Sequence, residues 1–170
     1  AYFDAAGAIA VWEQYDNVRA GWLLDDGGML LDIDVGRGTK PAVALGGGGP
    51  GVAYLQEGAL LLSELGGATL RCRPGAFCGA DLGAEPIEET HTTTIALGFD
   101  EGRDTWVVAV GEQLLVVGRG ERGPVVKQRL DSSVGTEPPA RIDVAVSEGT
   151  AASVQTGDGA QSVLTFMGCF

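Results

Sequence analysis

Four aspartates near the start of the chain form one group of potential metal ligands. They are Asp25, Asp26, Asp32 and Asp34. Calcium takes about six to eight oxygen ligands, and acidic turns between strands can supply several of them. The spacing differs from that of an EF-hand loop, however, and Asp32 and Asp34 alternate with the apolar Ile33. A solvated acidic strand face is therefore the preferred interpretation, with a calcium site as the alternative. No other cofactor is expected.

A single histidine limits the catalytic chemistry that the chain can support. His91 follows Glu88 and Glu89 in a polar stretch, and beside these carboxylates it could act as a base or as a ligand. An exposed loop residue is the simpler interpretation. The sequence has no Gly-x-Ser-x-Gly motif and no second pair of zinc ligands. Serine hydrolases, cysteine hydrolases and zinc sites are therefore not expected.

The segment Asp100-Glu101-Gly102-Arg103-Asp104-Thr105-Trp106 carries a second group of acids. It is similar to the Asp-box of sialidase-type propellers, with one extra residue before Thr-Trp and with Gly98 where Ser or Thr is usual. The resemblance implies a structural turn. The competing interpretation is a carbohydrate-active hydrolase, in which Asp100 and Asp104 would lie roughly 5–10 Å apart in a central pocket.

Two of the three cysteines flank a turn. Cys72 and Cys78 enclose Arg73-Pro74-Gly75-Ala76-Phe77, in which the Pro-Gly pair supplies a chain reversal that brings the two thiols within disulfide distance. We predict a disulfide between them, which would place the chain in an oxidising compartment. Cys169 is then unpaired or forms an intermolecular bond. Three reduced, buried thiols are the alternative.

The overall composition is that of one acidic globular domain. The 170 residues carry a net charge of −12, which argues against nucleic acid and anionic membranes as partners. No apolar run approaches the roughly 18 residues that a transmembrane helix needs. The first residues, Ala-Tyr-Phe-Asp, show no secretion signal, so we expect either a processed end or the edge of a fragment.

The elements that must position these residues are short strands. Runs rich in Val, Leu and Ile recur at roughly 8–12-residue spacing, with almost no helical periodicity. Many of the 28 glycines fall in turns between these runs, among them 25–28, 46–51, 100–102 and 157–159. About fourteen such strands predict an all-β fold.

A longer repeat groups the strands. Similar strands at Pro41–Leu45, Thr94–Gly98 and Ile142–Val146 recur about 50 residues apart, and each precedes a second apolar strand. Small, apolar inner strands followed by a more polar outer strand are typical of a β-propeller blade. We predict about four blades, and a β-sandwich is the structural alternative. The blades are expected at 1–38, 39–78, 92–131 and 140–170, and a long polar loop at 79–91.

Closure of such a ring has two solutions. A complete four-bladed ring would need Tyr2-Phe3-Asp4 to pair onto the last blade. Otherwise the chain is part of a larger propeller that a second chain or a second copy completes, because an open sheet edge is an aggregation hazard. We prefer the second solution.

Three stretches in the first part of the chain resemble the repeats of secreted bacterial β-propeller proteins. They are Ala-Ile-Ala-Val-Trp-Glu-Gln at 8–14, Val-Arg-Ala-Gly-Trp-Leu-Leu-Asp-Asp-Gly-Gly at 18–28 and Lys-Pro-Ala-Val-Ala at 40–44. The resemblance concerns architecture and does not imply an activity. It implies a protein that is secreted, periplasmic or held at the cell surface.

These patterns favour a binding module over an enzyme, because a repeat scaffold is present without a catalytic constellation. We expect recognition of a protein or a glycan through loops on one face, including 79–91. The candidate binding residues are Arg73, Phe77, Glu88, Glu89 and His91. A carbohydrate-active hydrolase and a processed structural subunit of a larger assembly are the alternatives.

Overall fold

The fold is built from antiparallel strands alone. The computed structural model describes residues 2–4, 7–23, 28–65, 80–81, 93–111, 113–121, 123–131, 141–156 and 162–168. Within these ranges fifteen strands form four separate sheets. The all-β prediction is therefore confirmed. In the same part of the chain, no helix has the length and apolar character needed to span a membrane.

The four sheets follow one another along the chain. The first contains β1 (Tyr2–Asp4), β2 (Gly7–Gln14), β3 (Asn17–Leu23) and β4 (Met29–Arg37). The second contains β5 (Thr39–Gly46), β6 (Gly49–Gln56), β7 (Ala59–Glu64) and β8 (Ala80–Asp81). The third contains β9 (Ile95–Asp100), β10 (Thr105–Val110), β11 (Gln113–Gly120) and β12 (Gly123–Asp131). The fourth contains β13 (Arg141–Ser147), β14 (Thr150–Thr156) and β15 (Ser162–Gly168).

Each sheet is a meander in which every strand pairs with the next one in sequence. Consecutive sheets pack against each other: β2 of the first sheet lies against β5, and the first strands of the later sheets lie against one another, β5 against β9 and β9 against β13. Small sheets that succeed one another in this way form a propeller-like fold, as the strand repeat predicts. A β-sandwich would instead place two larger sheets across a single core.

The apolar core is divided among the three junctions between consecutive sheets. Alternate residues of a strand point to opposite faces, so each central sheet contributes to two junctions. The first junction is filled by Ile9, Val18, Ala20, Val35, Val52, Tyr54, Leu61 and Leu65. The second contains Ala44, Ala53, Leu55, Leu60, Leu62, Trp106, Val108, Val110, Leu115 and Val117. The third contains Val107, Ala109, Leu114, Val116, Ile142 and Ala151.

Two segments pair differently from what the sequence analysis considered for them: the first under the closed four-bladed ring, which was not preferred, and the second as a loop. Tyr2–Asp4 pairs with the following strand, Tyr2 opposite Ile9, so it does not complete the last sheet. Only two residues of sequence separate these strands, and strands that follow one another so closely usually pair. Within the segment 79–91, predicted as a polar loop, Ala80 and Asp81 pair with Leu62 and Leu61 as the outer strand of the second sheet.

Candidate functional site

The most exposed large hydrophobic side chain of the described structure is Tyr15, at the tip of the β2–β3 hairpin. It is 89% exposed. The two residues of the turn, Tyr15 and Asp16, have φ angles of 52° and 58°. A two-residue hairpin of this kind requires positive φ at both central positions, and Asn-Gly or Asp-Gly is the usual solution. Tyrosine in this conformation is sterically unfavourable.

The corresponding hairpins of the next two sheets use glycine where the first does not. The β6–β7 turn consists of Glu57 and Gly58, with φ angles of 51° and 81°, and the β10–β11 turn begins at Gly111, with φ 54°. All three turns lie at the same end of their sheets, because each joins the second strand to the third. Only the first of them carries an aromatic side chain. It displays Tyr15 at a cost in backbone strain.

Contacts from the chain on both sides hold the Tyr15 hairpin, residues 13–17, in place. The side-chain amide of Asn17 donates a 3.0 Å hydrogen bond to the carbonyl oxygen of Tyr15. The backbone N–H of Gly38 donates to the carbonyl oxygen of Asp16 at 2.8 Å. The backbone N–H of Lys40 donates to Oε2 of Glu13 at 3.3 Å. The tip is therefore fastened to the connection that enters the second sheet.

The surroundings of the ring are acidic. Glu13, Gln14 and Asp16 are all exposed beside it. A projecting aromatic ring with carboxylates at its sides can bury apolar area against a partner while attracting cationic groups. The exposed hairpin thus has the chemistry of a recognition element. The sequence analysis missed it, although Gln-Tyr-Asp-Asn between two apolar strands is a turn with an unusual aromatic residue.

The opposite end of the sheets carries a second polar cluster, centred on Arg119. Its Nε lies 3.3 Å from Oδ2 of Asp104, and its Nη2 lies 3.5 Å from Oε1 of Glu64. The same Glu64 oxygen accepts a 2.7 Å hydrogen bond from Nε1 of Trp106. Trp106 is 3% exposed and packs against Phe99. This tryptophan is therefore a junction residue that offers no face to a sugar.

Asp100 is buried at the end of β9, with 3% exposure. Its Oδ2 accepts a hydrogen bond from the backbone N–H of Gly149, in the β13–β14 turn, and lies 3.7 Å from Nη1 of Arg103. The carboxylate thus joins the third sheet to the fourth. In this arrangement Asp100 and Asp104 each have structural partners, and Asp100 is shielded from solvent.

The two described members of the aspartate group, Asp32 and Asp34, both interact with Arg19: Asp32 through a hydrogen bond and Asp34 through its charge. Nε of Arg19 donates a 2.9 Å hydrogen bond to Oδ1 of Asp32, and a second guanidinium nitrogen pairs with the other carboxylate oxygen. The hydrogen bond raises the pKa of the Arg19 guanidinium, partial desolvation opposes the rise, and the charges of Asp32 and Asp34 add to it. Within the described ranges, no group of three or more histidine, cysteine or acidic side chains is arranged to hold a metal ion.

The other predicted site residues lie outside the described residues. They are Asp25, Asp26, Cys72, Arg73, Phe77, Cys78, Glu88, Glu89, His91 and Cys169. The predicted disulfide and the predicted binding site on the loop therefore remain predictions. The same holds for the part that Asp25 and Asp26 would play in a calcium site.

Comparison with known proteins adds little to this description. No protein-family model matches the chain, and no curated protein matches it. Among solved structures, the chain is similar to the WD40 domain of SCAP from fission yeast, with 11% identity and a TM-score of 0.48. The similarity covers 95% of this chain and 39% of that one, so this chain spans well under half of its length. The propeller-like description rests on the four sheets and three junctions themselves.

Proposed function

We propose that this chain is a binding module that recognises a protein partner through the Tyr15 hairpin. The observation that carries the proposal is the exposed tyrosine on a strained and braced turn. Strained backbone persists only where the surrounding structure imposes it, and such positions cluster at binding sites. The braces from Gly38 and Lys40 supply that support here.

The physical advantage of this arrangement is a low entropic cost of binding. Tyrosine is enriched among the residues that dominate protein–protein interfaces, because it buries a large area with few rotatable bonds. A turn that is already fixed loses little further freedom when a partner closes over it. The partner expected from the carboxylates of Glu13 and Asp16, and from the net charge of −12, has an apolar pocket rimmed by lysine or arginine.

The alternative of a carbohydrate-active hydrolase gains no support from the described residues. A glycosidase needs one carboxylic acid and one carboxylate directed at the same substrate bond. Asp100 is buried against Gly149, and Asp104 is paired with Arg119. A location outside the cytoplasm is part of our proposal through the predicted Cys72–Cys78 disulfide, whose formation would be measured by thiol titration with and without reductant.

The proposal is tested by selecting random peptides displayed on phage against the immobilised chain. Tyr15→Asn removes the ring but suits positive φ, and Glu57→Asn makes the same change in the equivalent turn of the second sheet. We expect peptides with aromatic or aliphatic residues next to lysine or arginine. Tyr15→Asn should weaken their binding about tenfold or more, and Glu57→Asn should leave it unchanged.

Two outcomes would overturn the proposal. Selected peptides that bind Tyr15→Asn as tightly as the original chain would locate the binding surface elsewhere. A glycan array screened in parallel would overturn the protein partner if it gave Tyr15-dependent binding while the peptide selection gave none. The partner would then be a carbohydrate stacked on the ring.

A further inference from the structure

The outward face of the fourth sheet is exposed at positions that are covered in the sheets before it. In the second, third and fourth sheets, the position two residues before the end of the first strand is occupied by Ala44, Gly98 and Ala145, respectively. Ala44 is buried in the second junction. A Cβ placed on Gly98 would lie 2.6 Å from Cγ2 of Val146, in the next sheet. Ala145 is exposed.

The second strands of the same three sheets also have a position that is buried in the second and third sheets and exposed in the fourth. Val154 occupies the position that Ala53 and Ala109 hold in the second and third sheets, four residues after the strand begins. Both alanines are fully buried, whereas Val154 is 38% exposed. Thr150, at the start of the same strand, is also exposed. We call Ala145, Thr150 and Val154 the trailing face.

The first sheet has a complementary face, turned away from the second sheet. Trp12 occupies the position that Tyr54 holds in the second sheet. Tyr54 is completely buried and lies so close to Gly38 that a Cβ there would be 2.5 Å from the tyrosine ring. Trp12 is only partly buried, and the exposed Asp32 and Asp34 lie on the same side of the sheet, together with Arg19, which is paired with Asp32. We call this surface, centred on Trp12, the leading face.

We infer that a second copy of this chain covers both faces at once. The leading face of each copy packs on the trailing face of the other, and the two sets of four sheets close into one ring of eight. This continues the packing of the three junctions within the chain, where each sheet lies on the one before it. A single partner satisfies both surfaces, as closed two-fold symmetry requires. Eight blades lie within the usual range of about four to eight for propellers.

Side-chain size supports this assignment. At the junctions within the chain, a large side chain of one sheet lies over a small residue of its neighbour, as Trp106 does over Gly51 and Val146 over Gly98. Between two copies, Trp12 would provide the large side chain, and Ala145 and Ala152 the small ones. Interdigitation of large and small side chains of this kind is how packed sheet faces fit together.

Sedimentation equilibrium over a range of concentrations tests the inference, since the chain has a mass of 17.4 kDa and the ring would have twice that mass. Val154→Asp and Thr150→Asp place a negative charge on the trailing face, opposite the carboxylates of Asp32 and Asp34, and each should give single chains with unchanged far-UV circular dichroism. Val125→Asp is the matched control, because Val125 is 46% exposed on β12, away from both faces. It should keep the doubled mass.

Thr150→Asp serves as the second variant if Val154→Asp fails to fold. The inference is overturned if the original chain sediments as a single chain at every concentration. It is also overturned if the trailing-face variants keep the doubled mass, if Val125→Asp dissociates like them, or if the assembly grows beyond two copies. Tyr15→Asn should leave the mass unchanged, so this result does not depend on the binding role of Tyr15.

Discussion

Oδ2 of Asp100 accepts a hydrogen bond from the backbone N–H of Gly149, which lies 49 positions later in the chain and in a different sheet. Both groups belong to hairpin turns at the same end of their sheets. Glu148 and Gly149 form the second of these turns, with φ angles of 47° and 77°. The bond fixes how the fourth sheet sits on the third, which the apolar cluster between them, being non-directional, cannot do by itself.

Replacing Asp100 with alanine should destabilise the protein by about 1–3 kcal/mol, because the N–H of Gly149 would lose its acceptor in a buried place. The measurement is urea denaturation followed by circular dichroism. Glu101→Ala is the control, since Glu101 is exposed in the same turn and should change stability by about 0.5 kcal/mol or less. Equal midpoints for the two variants would show that the bond does not stabilise the junction.

Gly51 tests how tightly the second junction is packed. A Cβ at this position would lie 2.5 Å from Cη2 of Trp106, which is buried and hydrogen-bonded to Glu64 and so has little room to move. Gly51→Ala should therefore cost about 1–3 kcal/mol through overpacking.

Gly47→Ala is the control from the same hairpin, because its Cβ would meet only Phe99 at an ordinary 3.8 Å. Gly47→Ala should raise the free energy of unfolding, by no more than about 1 kcal/mol. A small effect of Gly51→Ala as well would mean that the Trp106 ring can shift within the junction. The indole fluorescence maximum would then move in the folded state.

The strands and their grouping were predictable because they depend on local signals. Apolar runs and glycine-rich turns determine where a strand starts and ends, and a two-residue turn leaves adjacent strands no partner nearer than each other. The polar contacts were not predictable. Trp106 and Glu64 are 42 positions apart, and no spacing rule brings them together. The braces of the Tyr15 turn were missed for a related reason, since they come from Gly38, in the connection to the second sheet, and from Lys40, in that sheet.

The ion pair between Arg19 and Asp32 should contribute little to stability. In the single chain both side chains are partly exposed, so there the pair is screened by solvent and salt. The prediction therefore applies to dilute samples, in which the proposed two-copy ring is dissociated. Asp32→Asn should lower the free energy of unfolding by about 0.5 kcal/mol at low salt, and the loss should disappear near 1 M NaCl.

Asp34→Asn is the matched control, because Asp34 raises the pKa of Arg19 only through its charge and accepts no hydrogen bond from it. It should have the smaller effect in low salt. A large, salt-independent loss for Asp32→Asn would contradict this account. It would mean that the first sheet relies on the pair for its twist or register.

Relief of the backbone strain at Tyr15 should increase the free energy of unfolding, whereas the replacements of Asp100, Gly51 and Asp32 should decrease it. A tyrosine held at positive φ costs about 1 kcal/mol or more, whereas asparagine tolerates this conformation. Because the ring is exposed, Tyr15→Asn removes few packing contacts. Tyr15→Asn should therefore raise the free energy of unfolding by about 1 kcal/mol, and Glu57→Asn should raise it by a similar amount.

Thermal unfolding of the two variants checks this, with the peptide-binding assay run on the same samples. The two stabilities should rise together while only Tyr15→Asn loses binding, since the turns share their backbone geometry and differ in the ring. A loss of stability in Tyr15→Asn alone would show that the ring supports the hairpin. The strain would then have a structural origin, and the argument that it is retained for recognition would fail.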